Sequence, residues 1–187
     1  MAKTVITLPS FGLTDPGSDK TLLWDDSESA LAITGGQGKI GQAVTATRAD
    51  DTSITATSFT DTNCSVAITP TATSSKVLLM MSVPVWIYRN GQVDCRFKGQ
   101  IVRSISGGAS TNLIVGGGGS LGVYKPTDSS DDNMGYWLSF SLLDSPSTTA
   151  ETTYKLQLAI NNATGTSYVV ANVNDTTSYM TTLEVLA

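Results

Sequence analysis

The sequence predicts an all-β protein: an antiparallel, jelly-roll-like β-sandwich of about eight to ten strands, with an extended arm at the N-terminus. Three observations carry that expectation. Ser and Thr make up about a quarter of the 187 residues, and β-branched Thr suits a pleated, half-buried surface. Seventeen Gly residues, with scattered Asn and Asp, supply turns. No window keeps an apolar period of 3.6 residues over three turns, so very little helix is expected.

The length suits one well-packed domain plus an extra segment. Residues 1–40 read as the segment and 41–187 as the domain. In the segment, Thr4 to Pro9 is strand-like, and Asp15-Pro16-Gly17-Ser18 signals a turn. Thr21 to Ser27 and Ala30 to Ile33 read as a small hairpin. Gly35-Gly36-Gln37-Gly38 closes the segment as a flexible joint. The segment has too few large apolar residues for a core of its own. Its apolar side chains must bury against something else, and Leu8, Phe11, Leu22, Trp24 and Leu31 are the expected partner-contact residues of an attachment arm.

In the domain, strands are expected at Thr45 to Thr57, Cys64 to Thr69 and Lys76 to Tyr88. The last is apolar on both faces, as a strand buried on both faces would be. Pro84 should mark a bulge, bend or edge within it. Asn90-Gly91 between two apolar runs predicts a hairpin with a type I′ turn. The return strand alternates: Val93, Cys95, Phe97, Gly99 and Ile101 against Gln92, Asp94, Arg96, Lys98 and Gln100. Asn112 to Val115 is a further strand. Tyr136, Leu138, Phe140 and Leu142 share a face, as do Tyr154, Leu156, Leu158 and Ile160, with Asp144-Ser145-Pro146-Ser147 as the turn between them. Ser167 to Val173 and Ser178 to Leu186 complete the set.

A sandwich buries only one face of each sheet. A strand apolar on both faces therefore implies a second contact, and homo-oligomerisation is the expectation. Leu78, Met80 and Trp86 are assigned to that interface.

The chemistry-bearing residues exclude more than they suggest. There is no histidine, which removes the commonest general base and metal ligand. Glu28, Glu151 and Glu184 are the only glutamates. Glu184 is expected on the outer face of the last strand, so a glycosidase carboxylate pair is not legible. Gly116 to Ser120 lacks the Gly-Lys-Ser/Thr and the helix of a phosphate loop. Asp25 to Glu28 and Asp128 to Asn133 offer oxygen atoms but match no calcium loop. Cys64 and Cys95 read as small buried hydrophobes. Trp86 and Trp137 lie inside apolar runs and read as core or interface; Trp24 is the better partner contact. The net charge of −5 and the missing basic patch argue against nucleic acid. No apolar run is long enough to span a membrane, and Met1 to Thr4 does not open a signal peptide. No enzyme activity, cofactor or metal is expected.

Gln42 to Thr47, and Thr57-Ser-Phe-Thr-Asp-Thr-Asn-Cys-Ser-Val-Ala-Ile-Thr-Pro-Thr-Ala-Thr-Ser-Ser-Lys-Val-Leu-Leu-Met-Met-Ser-Val83, resemble a module of tailed-bacteriophage virion structural proteins. Tyr179 to Val185 resembles the strand that closes it. The resemblance covers roughly residues 40–187. It implies a homotrimer in the virion, assembled in the host cytoplasm. A small knob on a short arm suits a capsid decoration (cement) protein that grips the major capsid protein. The alternative is a head fibre or tail fibre knob that contacts host surface glycans through loops 104–112, 116–135 and 161–167.

Overall fold

The computed structural model describes residues 20–25, 30–35, 40–89, 95–115, 124–125, 132–160 and 167–186. The chain divides into two compact units, Met1–Lys39 and Ile40–Ala187. In the first, β1 (Lys20–Asp25) pairs antiparallel with β2 (Ala30–Gly35), placing Trp24 opposite Leu31 and Leu22 opposite Ile33. The expected strand at residues 4–9 lies outside the described residues.

The second unit is an antiparallel β-sandwich. Its strands are β3 (Ile40–Arg48), β4 (Thr52–Ile54), β5 (Thr60–Ile68), β6 (Lys76–Arg89), β7 (Cys95–Ile105), β8 (Ser110–Val115), β9 (Tyr124–Lys125), β10 (Asp132–Asp144), β11 (Thr152–Ile160), β12 (Tyr168–Ala171) and β13 (Ser178–Val185). The only helical element among the described residues is a single 3-10 turn at Val173–Asp175.

The 14-residue β6 organises the larger, six-stranded sheet. Along one edge it pairs with β10, from Val77 to Arg89. Along the other, β13 covers Lys76 to Ser82 and β12 covers Val85 to Tyr88, so these two strands lie end to end. β3 lies beyond β13, and β4 beyond β12. Pro84 sits where one partner gives way to the other. Its register with Trp137 of β10 is unbroken, so it produces neither the bulge nor the edge expected of it. A residue without an N–H fits where no strand faces it, and the Pro84 carbonyl accepts from Asn172 N–H at 2.8 Å.

The smaller sheet runs β5-β11-β7-β8, with β9 on the start of β7. A bulge in the β5–β11 pairing falls between Lys155 and Gln157. Asn63 takes a left-handed φ of 62° in the facing stretch of β5. The core lies between the sheets. β6 contributes Val77, Leu79, Met81, Val83, Val85 and Ile87; β11 contributes Tyr154, Leu156, Leu158 and Ile160; Phe97, Ile101, Cys64, Val66 and Ile68 come from the rest of the smaller sheet, and Ile54, Val169, Ala171 and Met180 from the rest of the larger.

Three sequence expectations change here. β6 and β7 are not a hairpin: they belong to different sheets. Both edges of β6 are taken, so the returning chain has no place beside it and crosses the sandwich to pair with β11 and β8. The Asn90-Gly91 turn itself lies outside the described residues. The stretch expected as one strand from Thr45 to Thr57 is two, β3 and β4, broken at residues 49–51 and paired with different strands. Glu184 is fully buried rather than outward. On β13 the polar parity (Ser178, Thr182, Glu184) turns inward with Met180, while Tyr179, Leu183 and Val185 turn out.

Candidate interaction face

The alternation that buries one side of β6 sends Leu78, Met80, Ser82, Trp86 and Tyr88 to the other. Register aligns the neighbours into rows on this outer face. Leu143, Leu78, Leu183 and Ala43 form an aliphatic row across β10, β6, β13 and β3. Ser141, Met80, Thr181 and Thr45 form the next, with Thr45 and Thr181 hydroxyls 2.9 Å apart. Ser139, Ser82 and Tyr179 follow, and then Trp137 beside Pro84 and Gly135 beside Trp86. Tyr88 and Tyr168 stack at 4.9 Å at that far end. Among the described side chains of this face, Lys76, at its end, is the only charged one.

Much of the apolar surface is open. Trp137 is 55% exposed, Leu143 52%, Tyr179 50% and Met80 38%. Leu78 and Trp86 are half-buried. The three residues assigned to an interface from the sequence thus share one face, but they span it: Leu78 and Met80 lie at the aliphatic end and Trp86 at the aromatic end. Sequence reading missed Leu143 and Tyr179 as their companions, and read Trp137 as core or interface without choosing between them. The signal was present, because β10 carries apolar residues at both parities near its ends, Leu142-Leu143 and Tyr136-Trp137-Leu138.

β10 has a second feature. It is 13 residues long and, among the described strands, pairs only with β6. From Asn133 to Leu143 it holds no charge and no proline. Its core-facing side chains Met134, Tyr136, Leu138, Phe140 and Leu142 are only half-buried. Long, uncharged, apolar edge strands template pairing with other chains unless they are covered.

Two polar clusters hold this face in place from beneath. Asp144, ending β10, takes both oxygens to Arg103 of β7, at 2.8 and 2.9 Å, and accepts from the Tyr154 hydroxyl of β11 at 2.8 Å. Burial pushes the Tyr154 phenol well above its ordinary range, and its hydrogen bond to Asp144 adds to the shift. Tyr154 is therefore a permanent donor. At the other edge, Glu184 accepts from Gln42 Nε2 at 2.8 Å, Thr71 N–H at 2.6 Å and Thr71 Oγ1 at 2.8 Å. All are neutral donors. A Cβ on Gly41 would meet Glu184 Oε2 at 3.0 Å and Leu186 Cδ2 at 2.9 Å, so glycine is what lets β3 pass this close.

Of the arm residues, Leu22, Trp24 and Leu31 lie on the β1–β2 hairpin, while Leu8 and Phe11 lie outside the described residues, as do loop 116–120 and most of both acidic stretches. Cys64 is buried, its Sγ 3.5 Å from Ser178 Oγ and 3.6 Å from Asn172 Oδ1. No group of three His, Cys, Asp or Glu among the described residues is placed to hold a metal ion.

No family model matches the chain, and no curated protein matches it in sequence. Among solved structures, it is similar to the infectious bursal disease virus Gt strain structure, at 15% identity and a TM-score of 0.34, covering 95% of this chain and 45% of that one. The VP2 subviral particle of the same virus gives 15% and 0.34, covering 90% and 43%. A CocE/NonD family hydrolase from Staphylococcus aureus gives 12% and 0.28, covering 91% and 37%. The chain spans less than half the length of each of these.

Proposed function

We propose that this chain is a virion structural protein: a capsid decoration (cement) protein that attaches as a homotrimer and strengthens the capsid surface. The observation that carries the assembly part is the outer face of the larger sheet, whose described side chains carry no charge apart from Lys76 at its end. In a chain of net charge −5, copies repel over most of their surface. Its aliphatic end, bearing Leu78, Met80, Leu143 and Tyr179 with Lys76 as the one charge at its border, is where they meet at least cost, and covering it also shields the Ser139-to-Leu143 part of the β10 edge. The virion part is supported by the sequence resemblance of residues 40–187. The N-terminal unit, with Leu8, Phe11, Leu22, Trp24 and Leu31, is the grip on the capsid protein, by strand addition and apolar anchors.

Light scattering on the purified protein is expected to give three times the chain mass. Met80→Lys combined with Leu143→Lys, both at exposed positions, should give the single-chain mass with the far-UV dichroism unchanged. A native protein that stays monomeric at all concentrations refutes the assembly reading. Deleting residues 2–38 should abolish binding to undecorated capsids while leaving the sandwich folded; retained binding refutes the arm. Imaging virions that carry a labelled copy assigns the location. Label over the whole head is expected, and label confined to one vertex would instead make the chain a fibre.

A further inference from the structure

We infer that the aromatic end of the larger sheet is a binding cleft for a neutral saccharide, formed by Trp86, Trp137 and the 172–176 turn. The cleft has a volume of about 290 Å³ and is lined by Pro84, Trp86, Gly135, Trp137, Asn174 and Thr176 among others, none of them charged. That is the lower end of small-ligand sites, ~300 Å³, and room for one or two sugar rings.

Three observations converge on it. First, one indole is open and the other is seated beside it. Trp137 is 55% exposed, and the six-membered ring of Trp86 lies over Gly135, where an added Cβ would meet Cε3 at 2.9 Å and Cζ3 at 3.2 Å. Only a glycine on β10 lets the indole lie down there. Second, the polar wall is strained and pinned. Asn172, Asn174 and Asp175 all have left-handed φ, at 61°, 55° and 54°, which costs energy in non-glycine residues and clusters at functional positions. Asn172 N–H bonds to Pro84 O at 2.8 Å, Thr176 N–H to Val173 O at 3.2 Å and Asp175 N–H to Asp51 Oδ1 at 3.1 Å, so the turn is fixed before any ligand arrives. Third, the chemistry pairs flat indoles with an amide and a hydroxyl, and the one charge of the turn, the Asp175 carboxylate, does not line the cleft. A pyranose presents an apolar C–H face suited to an indole and a rim of hydroxyls that an Asn amide and a Thr hydroxyl can both donate to and accept from. A nucleotide or acidic sugar would bring a charge with nothing to meet it.

This inference takes Trp86, assigned from the sequence to the contact between copies, as cleft lining instead, and otherwise stands apart from the assembly reading, which rests on the aliphatic end of the same face. The test is calorimetric titration of the full chain with lactose, maltotriose and N,N′-diacetylchitobiose, with trigalacturonate as the acidic comparator. At least one neutral saccharide is expected to bind saturably at millimolar concentration, and trigalacturonate is not. Trp137→Ala should weaken that binding at least about tenfold without altering the assembled mass. Gly135→Ala, which keeps both indoles but displaces Trp86, should weaken it too. The inference is overturned if no neutral saccharide binds, if trigalacturonate binds instead, or if Trp137→Ala binds as the native chain does. A change of assembled mass in Trp137→Ala would also overturn it, because the cleft would then be a contact between copies.

Discussion

Replacing Asp144 by alanine is expected to cost about 3 kcal/mol of stability, seen as a lower urea midpoint with an unchanged slope. Asp144 and Arg103 side chains are 9% and 16% exposed, so neither charge is well solvated. The alanine variant leaves the Arg103 guanidinium with no carboxylate, and Arg103 Nε already has no partner. It also strands the Tyr154 hydroxyl, which is fully buried and cannot turn to water. Removing one member of a buried pair is costly for this reason, even where the pair as a whole contributes little. Tyr154→Phe removes one donor and keeps the ion pair, so its cost should be nearer 1 kcal/mol. The triple change Arg103→Met, Asp144→Leu, Tyr154→Phe should recover most of the loss, because it removes every stranded group together. If Asp144→Ala instead proves neutral at a fixed protein concentration, the cluster does not join the sheets. Position explains why it would: Asp144 ends β10 in the larger sheet, whereas Arg103 and Tyr154 belong to β7 and β11 in the smaller. The latch holds the half-covered β10 against its core.

Most strands were legible because their alternation is clean. β11 reads Tyr154, Leu156, Leu158, Ile160 against Thr153, Lys155, Gln157, and the structure buries the first set. Pairing was not legible in the same way. Asn90-Gly91 is a sound local signal for a hairpin, yet β6 is already flanked by β10 on one edge and by β12 and β13 on the other. Those partners lie far along the chain, and no local pattern announces them. Most successive strands here cross between the sheets, as from β5 to β6, β6 to β7 and β10 to β11, so local turn chemistry says little about neighbours.

The outer face of the larger sheet was half legible. A strand apolar on both faces singled out β6 and, with it, Leu78, Met80 and Trp86. It did not reveal that β13 obeys the opposite rule, with its more apolar parity outward. Apolar residues ordinarily mark the core side. Where a surface exists to be covered by another molecule, the polar parity can be the buried one, provided that its groups are satisfied. Ser178 donates to Arg48 O at 3.1 Å, Thr182 to Val44 O at 3.5 Å, and Glu184 is surrounded by donors. The inversion on β13 supports the proposed assembly through this face.

Glu184 carries the second large effect, and it depends on pH. Burial alone would raise its pKa, but hydrogen bonds from Gln42 and from the backbone and side chain of Thr71 outweigh burial and lower it from 4.5 to about 2. The buried Ser75 hydroxyl acts in the same sense from a position without good hydrogen-bond geometry. A carboxyl group whose pKa is lower in the folded state than in the unfolded one stabilises the fold above the unfolded value and loses that contribution as pH falls through the folded one. The window here runs from about 4.5 down to about 2. Glu184→Gln is expected to cost about 2 kcal/mol at pH 7, because the new amide N–H₂ faces donors where acceptors are needed. The gap between the native chain and Glu184→Gln should then narrow as pH falls through that window, since protonation removes from the native chain what the substitution has already removed from the variant. Urea unfolding of both chains across the window measures this directly, and acidic groups elsewhere cancel in the difference. Parallel curves would mean that Glu184 does not hold its charge in the fold. A narrowing gap would assign to one carboxylate the joint that binds β3 and the 69–75 loop to β13, at the edge from which the outer face extends.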